Sequence, residues 1–229
     1  MAAELISLVK IGLLVFPNIQ QLDLTGPYEV FSSAQGTQVY LIWKDKNPVV
    51  SSSGLTFFPT NTFEDCPQLD VICVPGGGVN PLLHDEDVLQ FVRGQAENAK
   101  YITSVCTGAL VLGAAGLLVG KRASTHWNAL DFLTVLGAEP VKERIVRDGN
   151  IITAGGVTSG IDFGLAMLAE IFGQKEAETV QLTLEYAPSP PFSSGTPEDA
   201  SFDVVDSGRE RLSASRQARE AIFARWPEK

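Results

Sequence analysis

The chain has 229 residues, of which 45% are hydrophobic and 19% charged, so it can bury a full core and is too apolar to be disordered over most of its length. Its formal net charge is −10 without any basic run, which excludes the basic surfaces that bind nucleic acids or anionic membranes. Three cysteines, an odd number, and an N-terminus without a basic signal-peptide region predict a cytoplasmic protein that lacks a disulfide framework. No apolar stretch reaches the length of a transmembrane helix.

Apolar runs that end at proline or glycine alternate with amphipathic stretches along the chain. The runs are typical of strands buried in a parallel sheet, and we predict strands at residues 10–16, 39–43, 69–74 and 101–105. A further strand or hairpin is predicted at 49–58, and a second hairpin has its strands at 145–146 and 151–152. Helices are predicted at residues 23–31, 87–99, 107–118, 128–136, 160–171, 175–185 and 207–224.

This alternation predicts an α/β fold with one mostly parallel sheet, covered by helices on both faces. Neither a repeat nor a linker divides the chain, so we expect a single α/β domain over residues 1–190. Residues 191–229 are predicted to form a C-terminal extension, in which a polar loop at 193–206 precedes a charged terminal helix.

Cys106 directly follows one predicted strand and precedes a predicted helix, at the edge of the sheet where ligands of such folds bind. A thiol at this junction lies beside the N–H groups and the dipole of a helix N-terminus, which predicts a lowered pKa and a nucleophilic thiolate. The alternative is a buried and inert cysteine, the more common fate of this residue type. Cys73 lies in the middle of a strand and is predicted to belong to the core.

Two further segments follow strands at the same edge of the sheet. Asp23, between two leucines, is either a general acid/base with a raised pKa or the N-cap of the next helix. The glycine run at residues 76–78 is either a tight turn or an oxyanion hole, in which Gly77 and Gly78 would offer backbone N–H groups.

The remaining candidates are His126 and Trp127, which are adjacent in the chain. The pair would supply a base or a pocket wall, and a purely structural role is the alternative. The two histidines and three cysteines of the chain lack the spacing of metal ligands, so we predict no metal site.

Four motifs together resemble the ThiJ/PfpI superfamily. They keep the order and spacing of that superfamily and lie at residues 20–27 (QQLDLTGP), 74–78 (VPGGG), 104–109 (SVCTGA) and 123–127 (ASTHW). The superfamily is related to class I glutamine amidotransferases, and the resemblance implies a flavodoxin-like sandwich. A narrower similarity, to bacterial isonitrile (isocyanide) hydratases, rests on residues 144–150, 160–163 and 180–192.

The narrower resemblance implies an enzyme of the hydro-lyase class that hydrates isonitriles to N-substituted formamides as a homodimer. Matched by motif, Cys106 is the implied nucleophile, Asp23 the acid/base carboxylate and Thr107 the hydroxyl beside the thiolate. The hypothesis is that Cys106 attacks the isonitrile carbon while Asp23 supplies a proton, and that water then resolves the thioimidate. This chemistry requires neither a metal nor an organic cofactor.

Three other interpretations stay open. One is a different cysteine enzyme of the superfamily, of the glyoxalase or protease type. Another is the sensor module of a transcription regulator, which the acidic charge and the short segment after the core disfavour. The third is a stress-related protein in which Cys106 is oxidised rather than catalytic.

Overall fold

The computed structural model describes residues 8–227 and contains one main sheet with two small two-stranded additions. Within these residues the strands are β1 (Val9–Leu14), β2 (Thr37–Trp43), β3 (Val49–Val50), β4 (Thr56–Phe57), β5 (Asn61–Thr62), β6 (Val71–Val74), β7 (Tyr101–Val105), β8 (Arg122–Ala123), β9 (Glu139–Pro140), β10 (Ile145–Asp148) and β11 (Ile151–Ala154). The main sheet has the order β10-β11-β7-β6-β1-β2-β5, and only β10 runs antiparallel to its neighbour. The predicted mostly parallel sheet is therefore confirmed.

The centre of the sheet is formed by β1, β6 and β7, in which nearly every side chain is buried. Such strands need apolar residues on both faces, because helices cover the sheet from both sides. That requirement explains why these strands appear in the sequence as continuous apolar runs. Cys73, in β6, has no exposed surface and belongs to the core, as predicted.

Helices flank the sheet, and the strand connections place them on opposite faces. They are α1 (Gln21–Ser33), α2 (Glu86–Ala96), α3 (Gly108–Ala114), α4 (Phe132–Val135), α5 (Ser159–Phe172), α6 (Gln174–Thr183) and α7 (Phe202–Phe223). Helix α1 packs against α5 and α6, whereas α2 packs against α3. Since crossovers between parallel strands are right-handed, α1 and α2 leave the centre of the sheet toward opposite faces. No helix within residues 8–227 is both long and apolar enough to span a membrane.

Three helix predictions differ most from the structure. The helix expected at 107–118 ends at Ala114, because a turn with Gly116 in a left-handed conformation follows it. The helix expected at 128–136 is divided into the 3-10 turn Trp127–Ala129 and the short α4. The last helix begins at Phe202 rather than 207, since the acidic Asp203 lies in its first turn, where the helix dipole favours negative charge.

Helix α7 rests on the body of the protein through few residues. Only Arg219 and Phe223 of this helix are buried, and they are one turn apart. The Phe223 ring stacks on Phe132 with their centroids 4.9 Å apart. The helix also contacts the two 3-10 turns, Asn80–His84 and Trp127–Ala129, so it lies near the carboxyl ends of β6 and β7.

Candidate active site at the carboxyl ends of the central strands

The direction in which the chain adds strands changes between β1 and β6. From β1 the chain crosses to β2 on one side, and from β6 it crosses to β7 on the other. In an open α/β sheet this reversal leaves a crevice at the carboxyl ends of the strands. Asp23, the glycine run and Cys106 follow the three strands at this point, and hydrogen bonds connect their segments, as expected.

Cys106 follows β7 in a left-handed backbone conformation with a φ of 55°. A residue with a Cβ atom rarely adopts this conformation, which costs about 1–3 kcal/mol and persists only where its surroundings enforce it. The Cys106 N–H donates to the carbonyls of Ala154 and Gly155, at 3.0 and 2.8 Å. Its own carbonyl accepts from the Thr125 hydroxyl at 2.7 Å. These bonds fix the turn that carries the thiol.

Asp23 lies within the first turn of α1 and has no exposed surface. Its Oδ2 accepts a hydrogen bond from the Gly76 N–H at 3.0 Å, across the crevice, and the Cys106 thiol interacts with the same carboxyl group. Among residues 8–227, no group forms a hydrogen bond with full geometry to Oδ1, which is buried. The N-cap interpretation of Asp23 is wrong, because Gln20 holds the N-cap position and the carboxyl group bonds away from its own helix.

Gly76 and Thr107 bring the carboxylate and the thiol together. A Cβ atom at Gly76 would lie 2.5 Å from the Thr107 nitrogen and 2.7 Å from Asp23 Oδ2, so only glycine allows this approach. Thr107 Oγ1 accepts from the Gly77 N–H at 3.0 Å and donates to the Gly77 carbonyl at 3.3 Å. Because a hydroxyl has a single proton, Thr107 can exchange the longer bond for one to the sulfur when a thiolate forms.

Burial decides the proton affinities of the two acidic groups. It raises the pKa of Asp23 to about 7, although hydrogen bonds from Cys106 and Gly76 lower it in part. Burial, and then the negative charge of Asp23, raise the pKa of the Cys106 thiol well above its usual range, against the opposing effect of the Thr107 N–H and hydroxyl. The lowered thiol pKa expected from the helix N-terminus is therefore wrong for the resting site. Above pH 7 the pair holds one proton, which Asp23 is placed to take from the sulfur.

The glycine run connects protein segments to one another. The Gly77 N–H donates to Thr107, and the Gly78 N–H donates to the Asn18 carbonyl at 2.9 Å. These two groups were the predicted oxyanion donors, and both are already used within the protein. In the resting structure the run connects Thr107 to the loop after β1, so these two N–H groups are occupied and do not point at an oxyanion.

His126 and Trp127 lie beside the site without completing an acid/base pair. His126 Nδ1 accepts from the Asn128 N–H at 3.2 Å and so caps the following 3-10 turn. Burial, and then the charge of Arg219, lower the pKa of His126 to about 4, so its imidazole is neutral at physiological pH. Trp127 lines a cavity of about 490 Å³ against α7, and neither Asp23 nor Cys106 contributes to its walls.

Three residues of the site were absent from the sequence-based candidates. Gly76 belongs to the glycine run and Thr125 to the motif at 123–127, so the sequence held a signal for both. Arg219 had none, because the terminal helix carries charges along its whole length. Yet Arg219 is only 4% exposed, and its charge interacts with Cys106 and His126.

Comparisons with known proteins agree with this geometry. The model of the DJ-1/PfpI family matches residues 9–170. An isonitrile hydratase of Pseudomonas putida is 60% identical over 218 residues, which cover 95% of this chain and 96% of the relative. A crystal structure of a ThiJ/PfpI family protein from Pseudomonas syringae superposes with a TM-score of 0.91 at 42% identity, covering 94% of this chain and 90% of the neighbour.

More distant structures share the fold alone. DJ-1 of Schizosaccharomyces pombe superposes with a TM-score of 0.70 at 22% identity and covers 79% of this chain and 100% of its own. The predicted flavodoxin-like sandwich and the resemblance based on four motifs are thus both confirmed. Since the family model spans most of the chain and the relative from Pseudomonas putida nearly all of it, this chain belongs to the DJ-1/PfpI family.

Proposed function

We propose that this protein hydrates isonitriles to N-substituted formamides, with Cys106 as nucleophile and Asp23 as the acid/base. The observation that carries the proposal is the buried pair itself, in which a carboxyl group with a pKa of about 7 lies beside a thiol. A proton donor and acceptor is most effective when its pKa lies near the working pH. The identity of 60% to an isonitrile hydratase supports this choice of substrate class.

In the first step the Cys106 sulfur forms a bond to the terminal carbon of the isonitrile. The Asp23 carboxylate takes the thiol proton and delivers it to that same carbon, which has a lone pair available. The product is a thioimidate, R–N=CH–S–Cys106, and Asp23 returns to its ionised form. Thr107 donates its hydroxyl to the sulfur while negative charge develops there, as its position beside Gly77 allows.

In the second step water adds to the thioimidate carbon. Asp23, again as a base, accepts a proton from this water and passes it to the thioimidate nitrogen, which gives R–NH–CH(OH)–S–Cys106. Collapse of the tetrahedral intermediate breaks the carbon–sulfur bond, releases R–NH–CHO and returns the proton to Cys106. The sum is the isonitrile plus one water, so the cycle uses neither a metal nor an organic cofactor.

Turnover of an aryl isonitrile, followed by the ultraviolet absorbance of the formamide, tests the proposal. Cys106→Ala should lower kcat by at least ~1,000-fold, since the bond-forming atom is lost. Asp23→Asn should lower it by ~100- to 1,000-fold while Cys106 stays present. Cys66→Ala is the matched control and should retain full activity, because within residues 8–227 that half-buried thiol bonds Pro67 and Gln95 and no group of the site.

The pH profile of the wild type gives a second measurement. Activity needs one proton on the Cys106–Asp23 pair, so kcat/KM should rise as pH increases through about 7, where Asp23 loses its proton. Folded wild-type protein that fails to turn over isonitriles at any pH would contradict the proposal. Methylglyoxal would then be the next substrate to try.

We also propose that the protein acts as a homodimer, with residues 1–190 as the α/β domain and 191–229 as its extension. The end of α6, the start of α7 and the stretch between them leave several large apolar side chains exposed: Leu182, Phe192, Phe202 and Val204. Apolar surface of this kind is typical of contact sites between proteins. Sedimentation equilibrium of the wild type and of Phe192→Ser tests this, and a monomeric wild type would contradict it. The cytoplasmic location stays a prediction.

A further inference from the structure

A series of hydrogen bonds leads from the loop after β1 to the residue beside the reactive thiol. The Gln20 N–H donates to the Gly76 carbonyl at 2.9 Å. This carbonyl belongs to the peptide group whose nitrogen is that of Gly77, and the Gly77 N–H donates to Thr107 Oγ1 at 3.0 Å. Thr107 directly follows Cys106 in the chain. Both bonds therefore run in the same direction, from the loop toward the reactive residue.

The first of these bonds requires a glycine at position 77. Gly77 has a φ of 122°, which residues with a Cβ atom rarely adopt. A Cβ atom at Gly77 would also lie 2.3 Å from the Gln20 nitrogen, which is too close for any side chain. Ile19 pairs with Gly77 in an antiparallel bridge, and the Ser52 N–H of the β3–β4 hairpin donates to the Ile19 carbonyl at 3.0 Å. These contacts fix the Gln20 N–H against the glycine run.

The Thr107 hydroxyl has one proton and more than one acceptor to direct it to. In the resting structure it donates to the Gly77 carbonyl over a long distance of 3.3 Å. The Val79 N–H donates to the same carbonyl at 2.9 Å, so that oxygen retains a partner when the hydroxyl turns away. The bond that Oγ1 accepts from the Gly77 N–H is kept in either case. The hydroxyl can therefore donate to the Cys106 sulfur at low cost when negative charge develops there.

Hydrogen bonds in such a series polarise one another. A peptide carbonyl that accepts a bond makes the N–H of its own peptide group a stronger donor, and a hydroxyl that accepts a bond gains donor strength in the same way. The Gln20 N–H thus strengthens the Gly77 N–H as a donor, which in turn strengthens the Thr107 hydroxyl. The gain is largest for an ionised acceptor, because charge-assisted hydrogen bonds are the strongest. A thiolate therefore benefits more from this series than a neutral thiol does.

We propose that Gln20 is a positioning residue for Thr107, and that its N–H strengthens the hydrogen bond from the Thr107 hydroxyl to the Cys106 thiolate. It acts through the peptide group that joins Gly76 to Gly77. This inference rests on the proposed function in taking Cys106 as the nucleophile. It can be tested without any isonitrile, so a failure of the substrate assignment and a failure of the role of Gln20 are distinguishable.

An ester bond in place of one peptide bond removes this N–H and adds no bulk. Lactic acid, the hydroxy acid that corresponds to alanine, is incorporated at position 20 of the full chain by nonsense suppression. The reference protein is Gln20→Ala, which retains the N–H. Both proteins lack the bond that the Gln20 side chain accepts from the Ser52 hydroxyl at 3.1 Å, so they differ in the backbone alone.

Alkylation of Cys106 by iodoacetamide is the readout, recorded by mass spectrometry as a function of pH in proteins that carry Cys66→Ala. The thiolate displaces iodide and forms a carbon–sulfur bond, so the rate follows the thiolate fraction. The ester protein should react about three- to fivefold more slowly than Gln20→Ala, because its thiolate accepts a weaker hydrogen bond. Its pH profile should therefore lie about half a pH unit higher.

Variants of Thr107 separate this effect from a change in access to the thiol. In Thr107→Val the hydroxyl is missing, so the ester at position 20 should change the alkylation rate by less than about 1.5-fold. A change in access would slow the reaction equally with and without the hydroxyl. Thr107→Ser retains the hydroxyl and should preserve the full effect of the ester. Thr107→Ala gives the same comparison as Thr107→Val if the latter does not fold.

An ester at position 52 is the matched control for movement of the loop. It removes the Ser52 N–H that donates to the Ile19 carbonyl, and the ester at position 20 weakens that same carbonyl as an acceptor. Compared with Ser52→Ala, it should leave the alkylation of Cys106 unchanged. Equal rates for the ester at position 20 and Gln20→Ala would overturn the proposal. Equal slowing without the Thr107 hydroxyl, or by the ester at position 52, would also overturn it, since the loop position would then explain the effect.

Discussion

The reactive pair and the C-terminal helix are held by different means. Asp23 and Cys106 lie in segments that are buried almost throughout and that follow the central strands of the sheet. Helix α7 spans 22 residues and has only two of them buried, one of which is the charged Arg219. Chemistry that depends on short distances is thus built into the core, whereas α7 lies beside it on a small contact area.

The difference has an energetic consequence. Loss of a contact in the core affects the whole fold, because packing there is dense and shared among many residues. Loss of the contacts under α7 should release that helix while the sheet stays intact, since elements with few buried contacts open at low cost. Variants in each region therefore separate global stability from the state of the site.

The largest effect is expected from the buried carboxyl group. The pKa of Asp23 rises from its ordinary 3.8 to about 7, so the folded protein holds this proton where the unfolded chain has released it. The resulting stability is fully present below pH 3.8 and is lost as pH increases through about 7. Asp23→Asn avoids that loss. Its unfolding free energy should exceed that of the wild type by up to ~4 kcal/mol at pH 8, and by little at pH 4, as measured by urea titration.

Asp70→Asn is the matched control with the opposite sign. Although burial alone would raise the pKa of Asp70, hydrogen bonds from the Lys10 N–H and from Lys100 together lower it. This carboxylate stabilises the fold above its unfolded pKa and ceases to do so as pH decreases through the folded value. Asp70→Asn should therefore destabilise the protein more at pH 7 than at pH 3. If the unfolding free energy of Asp23→Asn differed from that of the wild type by the same amount at every pH, the raised pKa of Asp23 would be contradicted.

An intermediate effect is expected where α7 rests on the body of the protein. Phe223→Ala removes the ring that stacks on Phe132 and should cost ~3 kcal/mol of local stability. Hydrogen exchange should become faster along α7 and stay slow in β1, β6 and β7. Glu210→Ala, in the same helix and exposed, should change stability by less than ~0.5 kcal/mol. Equal acceleration in helix and sheet would show that the two regions unfold together.

The smallest effect on stability, with a large effect on turnover, is expected at Gly76. The Cβ atom of Gly76→Ala would meet Thr107 and Asp23 at 2.5–2.7 Å, so these groups must separate. We expect a cost of ~2 kcal/mol in urea unfolding and a loss of about 100-fold in kcat. Gly94→Ala, whose Cβ would have no atom within 4 Å, should instead stabilise α2 by ~0.5–1 kcal/mol and retain turnover. Full activity in Gly76→Ala would show that turnover does not require the close approach of Thr107 and Asp23 at this glycine.

The sequence by itself determined the sheet, its buried strands and the place of Cys106 and Asp23 at their carboxyl ends. It could do so because strands covered on both faces need unbroken apolar runs, and because parallel topology brings their carboxyl ends to one edge. Four motifs along this edge were also enough to indicate the family.

Only the tertiary structure decided how these groups behave. The raised pKa of Asp23 and of Cys106 comes from burial under segments far apart in the chain, and this outweighs the local effect of a helix N-terminus. Hydrogen bonds across the crevice use the N–H groups of Gly77 and Gly78, although a glycine run alone suggests free donors. The burial of Arg219, one charge among many on its helix, depends on where α7 packs, and local sequence does not encode that contact.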